Sequence, residues 1–141
     1  MRYPDGHKDA VRASIVKSAA RALRRDGLAG VSIPALMKQA GLTHGGFYAH
    51  FKNRDELVAA AVRCAAEASG SSVLSETTGD VTATLAAYLS EEHVDHPDRG
   101  CVLAALGSEG RRQPAVVRRA FAYAVRGFLR LVDEKLGTAS R

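Results

Sequence analysis

"LTHGGFYAHFK", Leu42–Lys52, is the stretch on which the fold turns. Its apolar residues recur as on one side of a helix, yet Gly45 and Gly46 stand together in its first turn. A glycine in a helix interior costs about 1 kcal/mol relative to alanine. Two in succession therefore need a reason beyond helix formation. Just upstream, "SIPALMKQAGL" predicts a helix capped by Ser32, with Pro34 in the first turn, where a missing N–H does no harm. Ile33, Leu36, Met37 and Ala40 supply its buried side, and Gly41 closes it in the left-handed conformation that glycine tolerates best. Thr43 caps the next helix, expected to end near Phe51. Two short helices joined by a glycine-containing turn form the helix-turn-helix pattern, whose second helix offers its N-terminal residues to bases in the major groove. At Gly45 and Gly46 no side chain holds the backbone away from DNA.

The neighbours strengthen that reading. Phe47 and Phe51, four apart, share a face that can pin the helix to its own core. Tyr48 lies on another side, and its hydroxyl can donate to a phosphate. His50, Lys52 and Arg54 are further potential phosphate donors, and His44 at the leading edge can reach a base. Working outward, Val11, Ile15, Ala19, Ala22 and Leu23 predict a first helix over about 7–26, stopped by Gly27. "NRDE" (53–56) predicts a capping box opening a fourth helix that continues to about Ala68. "SGSSVLSETTGD" (69–80) reads as a turn-rich connector. Beyond it, helices are expected over about 81–93 with Leu85, Tyr88 and Leu89 inward, over 99–109 with Asp98 as cap, and over 114–136. The last carries a wide apolar stripe of Val117, Phe121, Ala124, Val125, Phe128, Val132 and Leu136. No stretch reads as a strand. The expected class is all-α.

The 141 residues carry a net charge of +5. Residues 1–63 hold 11 Lys or Arg against 5 Asp or Glu, whereas residues 64–141 hold 9 against 10. All of the excess positive charge thus belongs to the half with the helix-turn-helix, which suits a polyanionic partner. The longest apolar runs, "LVAAAV" and "CVLAAL", are far short of the ~20 residues that cross a bilayer. No secretory h-region follows the first charges, and two cysteines are no disulfide framework, so the expected compartment is the cytoplasm. No phosphate-binding or dinucleotide glycine pattern is present, and no Ser/His/Asp or Cys/His arrangement. His93, Asp95, His96 and Asp98 straddle a helix end without a supporting cluster, and no metal or other cofactor is expected. Cys101, amid "VLAAL", reads first as a core residue. The expected activity is not enzymatic.

"IVKSAARALRRDG", "SIPALMKQAGL", "GGFYAHF" and "NRDEL" together resemble the DNA-binding domain of the TetR/AcrR family of bacterial transcriptional regulators, over about 7–63. The resemblance implies that Thr43, His44, Gly45 and Gly46 front the recognition helix. It implies also that Ser32, Tyr48 and His50 hold phosphates, with Lys52 and Arg54 near the backbone at the start of the fourth helix. Ala49 stands where many members have a larger polar or basic residue. The implied organisation is a helix-turn-helix domain over 1–53 and a helical ligand-binding and dimerisation domain over 54–141 that lacks the usual last helices. "DRGCVLAALGSE" resembles a segment common in one branch of the family. Leu85, Tyr88, Leu89, His93, Cys101, Leu103, Leu106, Phe121, Val125 and Phe128 are then candidate pocket residues. The implied function is a ligand-responsive repressor binding a palindromic operator in double-stranded DNA, with a small-molecule effector and a homodimeric state. The alternative is a shortened helical interaction protein that pairs with a full-length relative and modulates it.

Overall fold

A computed structural model describes residues 6–72 and 81–139, with side chains over 6–69 and 81–137. Among the described residues the regular structure is all helical: seven α-helices and two short 3-10 segments. Helix α1 (His7–Asp26) buries Ile15, Ala19 and Leu23 as its periodicity predicts and Val16 and Ala20 besides, while Val11 and Ala22 are half-buried. Gly27 ends it at φ +82°, its N–H bonded to the Leu23 carbonyl at 2.9 Å. In α2 (Ile33–Gln39) the Ser32 hydroxyl accepts the Ala35 N–H at 3.4 Å. Gly41 then turns at φ +71°, and the Leu42 N–H reaches back to the Met37 carbonyl at 2.8 Å.

His44–Ala49 is a 3-10 helix rather than the expected α-helix. Its N–H groups bond three residues back, Gly46 to Thr43 at 3.0 Å and His50 to Phe47 at 2.9 Å. Six residues including two glycines gain little from α-helical propagation, and the tighter coil forms bonds within a shorter span. Helix α3 (Arg54–Ser72) opens on the predicted box, Asn53 Oδ1 accepting the Glu56 N–H at 2.9 Å. Glu56 reaches back to the Lys52 N–H at 2.7 Å, one residue before the cap itself. α3 also runs past its expected end and takes in Ser69, which is buried. The rest of the expected connector, residues 73–80, lies outside the described residues.

The single helix expected over 81–93 is two, α4 (Val81–Tyr88) and α5 (Glu91–Asp95). Ser90 breaks it by capping α5, its hydroxyl accepting the His93 N–H at 3.3 Å. Leu85 and Leu89 are exposed rather than inward, and Thr84 is the buried residue of α4. Helix α6 (Val102–Gly110) starts later than expected, behind a 3-10 turn at Pro97–Arg99. Asp98 caps nothing there: it pairs with Arg21 of α1 at 2.8 Å, which holds its carboxyl below the usual range. On α7 (Ala115–Ala139) the inner stripe is Val117, Ala120, Phe121 and Ala124, while Val125 and Leu136 are exposed. One continuous core joins Ile15, Met37, Phe47, Phe51 and Val62 to Leu106 and Phe121. α3 is its axis, packed on α1 on one side and α7 on the other.

Candidate nucleic-acid interface and cavity

Phe47 and Phe51 anchor the 3-10 segment. Both are buried, with ring centroids 5.4 Å apart and planes 25° from parallel. Fixing Phe47 inward turns Tyr48 outward, where it is 68% exposed and meets only the edge of Phe47 at 5.2 Å. The glycines answer the question that their sequence raises. Gly45 is exposed, and a Cβ added there would meet nothing within 4 Å. One at Gly46 would make ordinary contact with Thr43 Oγ1 at 3.6 Å and Met37 Cε at 3.8 Å. Neither has the positive φ seen at Gly6, Gly27 and Gly41. The fold has no need of glycine at either position, so the bare backbone is a feature of the surface. Thr43 caps this tip, its hydroxyl accepting the Gly46 N–H at 3.3 Å.

Ser32, Thr43, His44 and Lys52 are all exposed around it. His50 is half-buried, and its Nδ1 is enclosed without a hydrogen-bond partner. An enclosed lone pair costs less than an enclosed orphan N–H, so the neutral ring with its proton on Nε2 is favoured. Burial, then the charges of Lys8 and Arg12, hold its pKa below the ordinary histidine value. Above about pH 6.5 the ring is neutral folded or unfolded. As pH falls below that, the unfolded chain takes the proton first and stability declines until the folded pKa is passed. Urea midpoints are therefore expected to drop between pH 7.5 and pH 5.5, by less in His50→Asn than in the wild type.

Arg12 ties this region together. Its Nε donates to the His50 carbonyl at 3.3 Å, its Nη2 to Glu56 at 3.2 Å, and its guanidinium lies 4.7 Å over the Phe51 ring. The Lys52 N–H, then Arg12, hold the Glu56 carboxyl below its usual range. Lys8 and Arg12 extend the cationic flank around His50, and sequence reading misses both, because nothing local places α1 beside a segment some forty residues away. Arg54 differs from the rest of the expected flank. It is half-buried, and its guanidinium donates inward to the Leu28 carbonyl.

The model for bacterial regulatory proteins, tetR family, matches residues 15–61, from the middle of α1 into α3. Residues 15–61 are a tetR-family segment. The segment contains the whole helix-turn-helix with the Gly45–Gly46 tip, and its match supports a family of DNA-binding transcriptional regulators, whose members are generally not enzymes. No curated protein matches the chain. Among the described residues no helix is long and apolar enough to cross a membrane.

Behind the tetR-family segment, a cavity of about 240 Å³ opens among α3, α4, α6 and α7. Of the expected pocket residues, Tyr88, Cys101, Leu103 and Phe128 line it. Leu85 lines a smaller one of about 140 Å³ that shares the Tyr88–Phe128 wall. Leu106 and Phe121 belong to the core, whereas Leu89 and Val125 face outward. His93 is structural: its Nδ1 meets the Tyr88 carbonyl at 2.6 Å and its Nε2 accepts the Cys101 N–H at 2.9 Å. Burial and a bond to Cys101 push the Tyr88 phenol up to about 12, so it stays protonated at neutral pH. Ser69, Tyr123, Gly127 and Glu134 also line the cavity. The sequence stripe passes over the three on α7, since Tyr123 and Gly127 lie at its edge, and it placed Ser69 in a connector.

Proposed function

We infer that the chain is a repressor that reads a palindromic operator as a homodimer and leaves it when a small molecule fills the cavity. The observation that carries the DNA-reading part is the exposed glycine tip, which has no internal reason to be bare. Thr43, His44, Gly45 and Gly46 then meet the groove, and Ser32, Tyr48, His50 and Lys52 meet phosphates on either side. Arg54 joins them through the donors not engaged with Leu28. Residues 1–53 act as the reading domain and residues 54–141 as the regulatory one, and the protein works in the cytoplasm. A ligand releases DNA only if it binds the DNA-incompetent arrangement better.

Homodimerisation is supported by the outer face of α7. Val125 and Leu129 are exposed there, and Val132 and Leu136, which also line the smaller cavity beside α4, continue the 4-3-4 spacing of a two-helix seam. Arg126 and Asp133 flank that seam on the same side. An antiparallel second copy would bring each Arg126 toward the other copy's Asp133. Selection from a random duplex pool tests the reading. Recovered sequences should carry two inverted half-sites about 10 bp apart centre to centre, or a multiple of that. Tyr48→Phe should weaken binding about tenfold on every recovered sequence, as loss of one bond to a charged group does. His44→Ala should change base preference more than affinity. Failure to enrich any sequence would remove the reading.

A further inference from the structure

We propose that Glu109, in the last turn of α6, is a positioning residue for DNA reading that passes the state of the cavity to the corner before α2, a role that rests on the function inferred above. Glu109 Oε2 accepts the Leu28 N–H at 3.1 Å, across 81 residues of chain. Its Oε1 lies 3.3 Å from where a Cβ at Gly27 would stand, so the carboxylate approaches closely at a position whose φ of +82° already favours glycine. The Leu28 carbonyl is held from the other side by the Arg54 guanidinium, at the first residue of α3. The Leu28 side chain is buried. One residue between α1 and α2 is thus gripped through its N–H by α6 and through its C=O by α3.

The opposite end of α6 belongs to the cavity, since Cys101, Val102 and Leu103 all line it. Between the two ends α6 is a nine-residue rod. Its last residue, Gly110, is packed so closely on Phe121 that a Cβ would fall 2.8 Å from the ring. Just before α6, the Gly100 carbonyl accepts from Arg24 of α1 at 3.0 Å and lies 2.9 Å from the Ser69 hydroxyl of α3. A group pushing the cavity end of α6 therefore works against a tethered point and is felt at Glu109. A bond of 3.1 Å loses most of its strength once it lengthens beyond about 3.5 Å. Release of Leu28 frees the corner from which α2 and the glycine tip are hung.

The cavity can be filled without knowing its natural occupant. Gly127 lines it, and a Cβ there meets no atom within 4 Å, so Gly127→Leu supplies a probe side chain. Gly127→Ala is its control, raising helix propensity without the volume. Amide hydrogen exchange of the full chain reads the bond itself. We expect Gly127→Leu to speed exchange at Leu28 at least tenfold over Gly127→Ala, with the Leu23 amide in α1 within twofold. Affinity for selected duplex should fall at least fivefold between the same two variants. In a Glu109→Ala background, or Glu109→Gln should alanine fail to fold, that factor should shrink to less than twofold. Unmoved Leu28 exchange in folded Gly127→Leu, or an undiminished factor without Glu109, overturns the proposal. If no duplex is bound at all, the inferred function fails, while the exchange measurement still decides whether α6 signals to Leu28.

Discussion

Gly45→Leu is expected to lower affinity for selected duplex by more than about 100-fold while leaving thermal stability unchanged or slightly raised. The two halves of that expectation have separate causes. A Cβ at this position meets nothing within 4 Å, so the folded chain accommodates the side chain in solvent. Removing a glycine also reduces the conformational freedom of the unfolded state, worth about 0.4–1 kcal/mol where the native backbone suits other residues. With the tip in the groove, as proposed, the same side chain would stand between the backbone and the bases. It displaces several contacts at once, and each base contact is worth about 1–3 kcal/mol. Gly45→Ala should give a smaller loss, graded with side-chain size. Anisotropy titrations alongside melting curves check both halves. Wild-type binding by the leucine variant would mean that the tip does not enter a duplex.

Phe47→Ala should do the reverse and act through the fold. Phe47 is 1% exposed and stacks on Phe51, and it joins the small helix-turn-helix to the core that runs through α3. Truncating a buried phenylalanine costs about 3–5 kcal/mol. A domain of this size holds about 5–15 kcal/mol in total. The variant should therefore unfold at a much lower urea concentration. DNA binding should be lost in proportion to the folded fraction and partly recovered on cooling. A variant that kept the wild-type midpoint would show that the recognition segment is not seated on this core.

What could be read from sequence was local. The limits of α1, the Ser32 and Thr43 caps, the Gly27 and Gly41 stops and the Asn53 cap each depend on residues within a turn or two, and each stands where its chemistry requires, although Glu56 closes its side of the box on the Lys52 N–H and not on that of Asn53. The departures come from contacts between distant segments. Asp98 looked like a helix cap because nothing nearby shows that Arg21 faces it across 77 residues. Leu89 reads as inward because nothing in its own stretch shows that α4 ends at Tyr88 and that Ser90 caps α5. Likewise, Arg54 matched a phosphate-binding pattern while its partner, the Leu28 carbonyl, lay in another helix-to-helix corner. Within the candidate interface the exposed tip was legible, and the support behind it from Lys8, Arg12 and Glu109 was not.

The most direct test of the glycine tip as a DNA-reading surface is the salt dependence of anisotropy on a labelled, selected duplex. The account predicts tight binding at 50 mM salt that falls linearly on a log–log plot, with a slope near −0.9 for each phosphate neutralised. Lys52→Gln should make that slope shallower by about one such increment while leaving the preferred sequence unchanged. No anisotropy change at 50 mM salt, or binding that ignores salt, would contradict it.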